Sequence, residues 1–101
     1  MTFKRKILKQ AALEYRGIVD YLVRGLHSPQ AARDFIEEFT NKLDLVCEMP
    51  ESHALSRMEE LAVLGYRPML VKNYVALYKI EDDCVVIAHI FHQSQDYASF
   101  V

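Results

Sequence analysis

Tryptophan is absent from this chain, and cysteine occurs only twice. Cys47 and Cys84 stand apart, with no C-x-x-C spacing and no histidine paired with either. That pattern excludes a disulfide framework and a zinc knuckle, and leaves two buried apolar thiols as the expectation. Glycine and proline are scarce, at three each, so collagen-like, linker-like and low-complexity architectures are excluded. No Gly-rich phosphate loop and no nucleophile elbow around Ser94 is present. No apolar run reaches the roughly 18–20 residues a membrane span needs. The basic start, "MTFKRKILKQ", is followed by neither an apolar signal core nor a small-residue cleavage site. The expectation is therefore a cytoplasmic protein with no membrane partner.

A surplus of positive charge is also missing. Twelve Lys and Arg face fourteen Asp and Glu, for a net charge of −2. Proteins that grip nucleic acid mainly through phosphates carry a basic surplus or a basic face. General RNA or DNA binding is disfavoured, although local basic contacts remain open. Lys4, Arg5, Lys6 and Lys9 form one basic patch, and Arg67, Lys72 and Lys79 a thinner one. The acids gather between Asp34 and Glu60.

What is present is an ordinary globular composition, 51% hydrophobic over 101 residues, which is enough for one self-sufficient core. A single domain spanning 1–101 follows. "FKRKIL" suits a short strand at an exposed sheet edge. From Gln10 to Leu26, Ala11, Tyr15, Ile18, Val19, Leu22 and Leu26 mark one helical face. Gly17 interrupts this helix at a cost of about 1 kcal/mol relative to alanine, which suggests a close helix contact. A second helix starts at "SPQAARDF", with Ser28 as N-cap and Pro29 at the first helical position, and ends before Pro50. Ala32, Phe35, Ile36, Phe39, Leu43 and Val46 form its apolar face. The short connection makes the two helices an antiparallel hairpin. "SRMEELAVLG" holds a helical turn or a strand that Gly65 closes.

Three strand signals follow. "YRPMLV" carries Pro68, which marks an edge or a bulge. "KN" turns into "YVALYKI", and "EDD" turns into "CVVIAHIF", whose nearly unbroken apolar run suits a central strand covered on both faces. The fold class is α+β: an N-terminal strand, then an antiparallel helix hairpin packed on a mainly antiparallel sheet.

The chemistry-bearing stretch is "AHIFHQSQDY", Ala88 to Tyr97. In an uninterrupted strand Cys84, Val86, Ala88, Ile90 and His92 share one face, and Val85, Ile87, His89 and Phe91 the other. His89 and His92 then lie on opposite faces and share no metal, so no metal or cofactor is expected. His89 reads as a sheet histidine. His92, where the strand runs into a polar loop, is the better functional candidate. Arg67 reads as a surface arginine or an acid partner, Tyr97 as a tail aromatic docked on the core, and Asp96 as a cap for the terminal turn.

The segments "SPQAARDFIEEFTNKLDLVCEMP" and "LGYRPMLVKNYVALYKIEDDCVVIAHIFHQSQDY" resemble the RelE/ParE superfamily of bacterial type II toxin–antitoxin toxins over nearly the whole chain. Gly-Tyr-Arg, the hairpin and the final "HQ..D" carry the resemblance by their order and spacing. It implies a growth-inhibiting toxin, often plasmid-stabilising, that a cognate antitoxin wraps and neutralises, with no small-molecule substrate. It also implies one of two mechanisms. RelE-like and YoeB-like members cut mRNA in the ribosomal A site, which needs an acid, a base and cations around the phosphorane. Their catalytic positions would correspond to His92 as acid or base, Arg67 as phosphate stabiliser and Tyr97 as positioning group. The arginine those members carry in the middle strand corresponds to Val75, and the basic pair after the final histidine to Ser94 and Gln95. ParE-like members inhibit DNA gyrase by protein contact and need no catalytic set. Val75, the missing basic pair and the charge balance favour this branch. The ribosome-dependent endonuclease is the alternative, and an inactive toxin fold that only binds antitoxin is the third reading.

Overall fold

The computed structural model describes residues 2–96 and 101. The elements run β1 (Lys4–Ile7), α1 (Lys9–Asp20), a π-helical turn (Tyr21–Gly25), α2 (Pro29–Glu48), a 3-10 turn (Pro50–Ser52), α3 (Glu59–Val63), β2 (Arg67–Val71), β3 (Tyr74–Glu81) and β4 (Cys84–His92). The sheet order is β1-β4-β3-β2. β1 pairs parallel with β4, while the β2–β3 and β3–β4 pairs are antiparallel. β1 and β2, the strands carrying the lysines and Pro68, are the edges. β4 is central.

The local signals account for these boundaries. Ser28 Oγ accepts the Ala31 N–H at 3.1 Å and Pro29 opens α2. Pro50 begins the 3-10 turn just beyond it. "EELAV" forms one helical turn, and Gly65 follows at φ +86°, a left-handed conformation suited to glycine. The two strand turns place Lys72 and Asp82 at positive φ (54° and 53°). A two-residue hairpin turn imposes this conformation because its twist must match that of the strands.

The helix hairpin covers one sheet face. Phe35, Phe39, Leu43 and Val46 of α2 pack with Ala11 and Leu22 on Met69, Val71, Tyr78, Val85, Ile87 and Ile90. A smaller cluster on the outer face joins Leu61, Tyr66, Val75, Leu77, Ala88 and Phe91. Cys47 is fully buried, and burial pushes its thiol pKa up, which keeps it protonated and inert.

Two expectations need correction. Gly17 does not mark a close helix contact: a Cβ built there meets nothing within 4 Å. The pleat of β4 is also interrupted. Leu77 pairs with His89 and Tyr78 with Ile87, so Ala88 is an extra residue, a β-bulge. Ile87 and Ile90 therefore both enter the helix-side core, while Ala88 and Phe91 both join the outer cluster. The bulge falls just beyond the point where the register of β1 on β4 ends, at Ile7 opposite Ile87. Beyond it the β4 edge is open, and the Ile90 N–H donates instead to Glu14 Oε1 of α1 at 2.9 Å. His89 and His92 still face opposite sides. His89 stacks on Phe91 at 5.3 Å, whereas His92 meets Tyr74 edge-on at 5.3 Å.

Candidate functional site

β4 carries His92 to its last position, where the side chain is exposed beside Tyr74. The Nδ1 atom accepts the Ser94 backbone N–H at 3.1 Å and lies 2.7 Å from Ser94 Oγ. A backbone N–H only donates, so Nδ1 is unprotonated and the neutral ring carries its proton on Nε2. The His92 N–H in turn donates to Gln95 Oε1 at 2.8 Å. Ser94 and Gln95, where a basic pair would be expected in the nuclease branch, thus serve to hold His92 in one orientation.

Arg67 lies elsewhere. It opens β2, and its guanidinium donates to the backbone carbonyl of His53, closing the loop before α3. Its partner is that carbonyl, and no carboxylate pairs with it among the described residues. Next to it His53 meets the Tyr78 ring edge-on at 6.0 Å. Burial first, then the nearby Lys42 and Arg67, holds the His53 pKa below its ordinary value and keeps it neutral.

The register measures how far apart the two candidates are. Arg67 pairs with Tyr78, and His92 pairs with Tyr74 of the same strand. Four residues along a strand is ~13 Å, and β3 itself lies between the two. Tyr97 lies outside the described residues, as does the tail that Asp96 would cap.

Val75 is 1% exposed and packs in the outer cluster against Leu77 and Phe91. It belongs to the apolar core, on the sheet face opposite His92. Among the described residues no group of three or more His, Cys, Asp and Glu side chains is placed to hold a metal ion. No helix among them is long and apolar enough to cross a membrane.

The geometry also shows a feature the sequence reading missed. Glu14 reaches from α1 to the open edge of β4, with Oε1 3.8 Å from His89 Nδ1, a nitrogen that is buried without a hydrogen-bond partner among the described residues. Between α1, the start of α2 and the end of β4 lies a cleft of about 800 Å³, bordered by Glu14, Gly17, Phe35, Tyr74 and His92. Its one sequence signal was a glycine kept inside a helix.

Against models of known families, residues 6–97 match the ParE toxin of type II toxin–antitoxin systems, parDE. The chain belongs to the ParE toxin family. As a type II toxin it is expected to have a cognate antitoxin. Among solved structures the toxin is similar to a chain of the chromosomal ParDE system of P. aeruginosa, with a TM-score of 0.71 and 18% identity over 90% of this chain and 96% of that one. It is also similar to a mutant of the E. coli toxin RelE in the free state, with a TM-score of 0.66 and 16% identity over 99% and 93%. At such identities these likenesses establish the shared α+β fold alone. No curated protein sequence matches the toxin significantly.

Proposed function

We propose that the toxin arrests growth by binding DNA gyrase, as a protein–protein inhibitor that cuts no RNA. Val75 carries this reading. At the position that corresponds to a catalytic arginine in the nuclease branch, the toxin has an aliphatic side chain sealed in its outer core. The separation of Arg67 from His92 supports it, since phosphoryl transfer depends on cations and proton donors converging within hydrogen-bond reach of one phosphate. Membership of the ParE family agrees with it.

The competing reading, a ribosome-dependent mRNA endonuclease, rests on one observation: His92 is exposed at the end of β4, an imidazole of the kind that exchanges protons in catalysis. Primer extension on translated mRNA in the presence of purified toxin separates the two. The gyrase reading predicts no new 5′ ends in A-site register and undiminished toxicity in His92→Ala. Cleavage by the wild type that disappears in His92→Ala would establish the nuclease instead.

A further inference from the structure

The edge strand β1 leaves part of its backbone open. The Lys4 N–H donates to the Asp83 carbonyl at 2.8 Å, and the Leu8 N–H to the Ile87 carbonyl at 2.9 Å. Backbone direction alternates along a strand, so Lys6 also faces β4, while the N–H and C=O groups of Arg5 and Ile7 point away from the sheet. Among the described residues no backbone group pairs with them. Such a row is a template for a further strand. The opposite edge, β2, is less open: Pro68 has no N–H to offer, and the Leu70 carbonyl already accepts from Lys42.

An apolar pocket adjoins this open row. β1, α1 and α2 enclose about 430 Å³ between Ile7, Tyr15 and Leu43, with Arg16 and Thr40 on the border. Ile7 sends its side chain to this helix side of the sheet, as does Arg5, whose guanidinium reaches Asp44 of α2 at 2.7 Å. Alternation puts Lys4 and Lys6 on the outer side.

The edge is also locally basic within a chain of net charge −2. Lys4 approaches Asp83 at 3.5 Å, and Arg5 is taken by Asp44. Lys6, Lys9 and Arg16 make no ion pair among the described residues.

These features select one kind of occupant. An open backbone row fits an extended polypeptide, the pocket takes an apolar side chain, and the cations call for acids. A nucleic acid would use the cations and leave the row and the pocket empty. A second copy of β1 would set Lys4, Arg5 and Lys6 against their like.

We infer that β1 is the docking edge for the target protein, which adds an extended acidic segment to the sheet. Its backbone pairs with Arg5 and Ile7, and an apolar side chain enters the pocket beside Tyr15 and Leu43. The next residue, on the outer side, is an acid that meets Lys6, and an acid on the pocket side meets Arg16. The inference rests on the reading of the toxin as an inhibitor by protein contact, with gyrase as the target.

The test is calorimetric titration of purified gyrase with wild-type toxin, Lys6→Glu and Thr40→Trp. Affinity for the protein encoded by the neighbouring reading frame and growth arrest on expression are measured in parallel. Lys6→Glu reverses an exposed charge. Thr40→Trp puts an indole into the pocket and removes only a hydroxyl bonded to the Ile36 carbonyl within α2. Circular dichroism confirms that both are folded. The expected result is gyrase binding weaker by roughly tenfold in Lys6→Glu and roughly 30-fold in Thr40→Trp, with growth arrest weakened alike and antitoxin affinity as in wild type. Amide hydrogen exchange in residues 3–8 of wild-type toxin should slow in the gyrase complex. Unchanged gyrase affinity in both folded variants overturns the inference. So does a loss confined to antitoxin binding, which would assign the edge to that partner. Duplex DNA binding by the toxin that Lys6→Glu abolishes and Thr40→Trp leaves intact assigns the cations to phosphates and likewise overturns it. If wild-type toxin does not bind gyrase, the gyrase reading fails and growth arrest decides the edge. Arrest lost in both folded variants with antitoxin affinity retained upholds it for another protein target, and arrest retained overturns it.

Discussion

Single side chains set the limits on what the toxin does. Val75 is enclosed by aliphatic and aromatic groups, so an arginine there would bury a charge with no partner. Val75→Arg is expected to lower unfolding free energy by roughly 3 kcal/mol, read as the shift of a urea midpoint, and to confer no RNA cleavage. Arg67 has a mechanical role: its guanidinium holds the carbonyl of His53. Arg67→Ala is expected to destabilise the toxin by about 1 kcal/mol and to leave growth inhibition per folded molecule unchanged. A loss of toxicity without loss of stability would return Arg67 to the functional site. Little of this was visible in residue order alone. His92 stood out because it ends an apolar strand at a polar loop. The carbonyl partner of Arg67 comes from a loop fourteen residues earlier, and no periodicity records such a contact.

At the level of elements, the hairpin and sheet are tied by a few long-range polar contacts. Glu38 of α2 accepts the Lys72 N–H in the β2–β3 turn at 2.8 Å, and Lys42 and Lys72 both approach it to 3.5 Å. The Lys72 N–H first, with both lysines adding, holds the Glu38 carboxyl below its ordinary pKa of 4.5. A lowered folded pKa means that the unfolded chain binds the proton more readily. The contribution of this contact is therefore present in full above about pH 4.5 and is lost as pH falls through the lower, folded value. Glu38→Gln should cost about 1 kcal/mol at pH 7 and progressively less in acid, so that the two stability curves converge. Parallel curves down to pH 3 would contradict this. Within α1, Gly17→Ala has free space and helical backbone, and should stabilise the toxin by up to about 1 kcal/mol in thermal unfolding.

Elements were also where sequence patterns were most informative. The 3.6-residue stripe gave α1 and α2, and Ser28 with Pro29 gave the start of α2. Alternation could not reveal the Ala88 bulge, which falls where β1 ends and a carboxylate of α1 takes up the edge of β4, both far from β4 in the chain. The π-helical turn was equally hidden, since Leu22 and Leu26 keep an ordinary helical spacing.

For the whole molecule, topology puts the lysine-bearing strand β1 at one edge of the sheet, while α2 carries Asp34, Glu37, Glu38, Asp44 and Glu48, so a net charge of −2 coexists with distinct local surfaces. The cleft is a property of this scale, because α1, α2, β3 and β4 each supply part of its wall. Order and spacing of motifs were enough to suggest the toxin superfamily. They could not show that Arg67 and His92 would lie on two strands separated by β3 and four residues apart along it, since that offset appears only once the strand register is known. The separation, together with the sealed Val75, favours inhibition by contact over catalysis. The most direct test is a supercoiling assay with purified gyrase and relaxed plasmid, titrated with the toxin and then with the toxin plus antitoxin. Dose-dependent loss of supercoiling, reversed by antitoxin and retained in His92→Ala, is the predicted result. Full supercoiling at saturating toxin would contradict it.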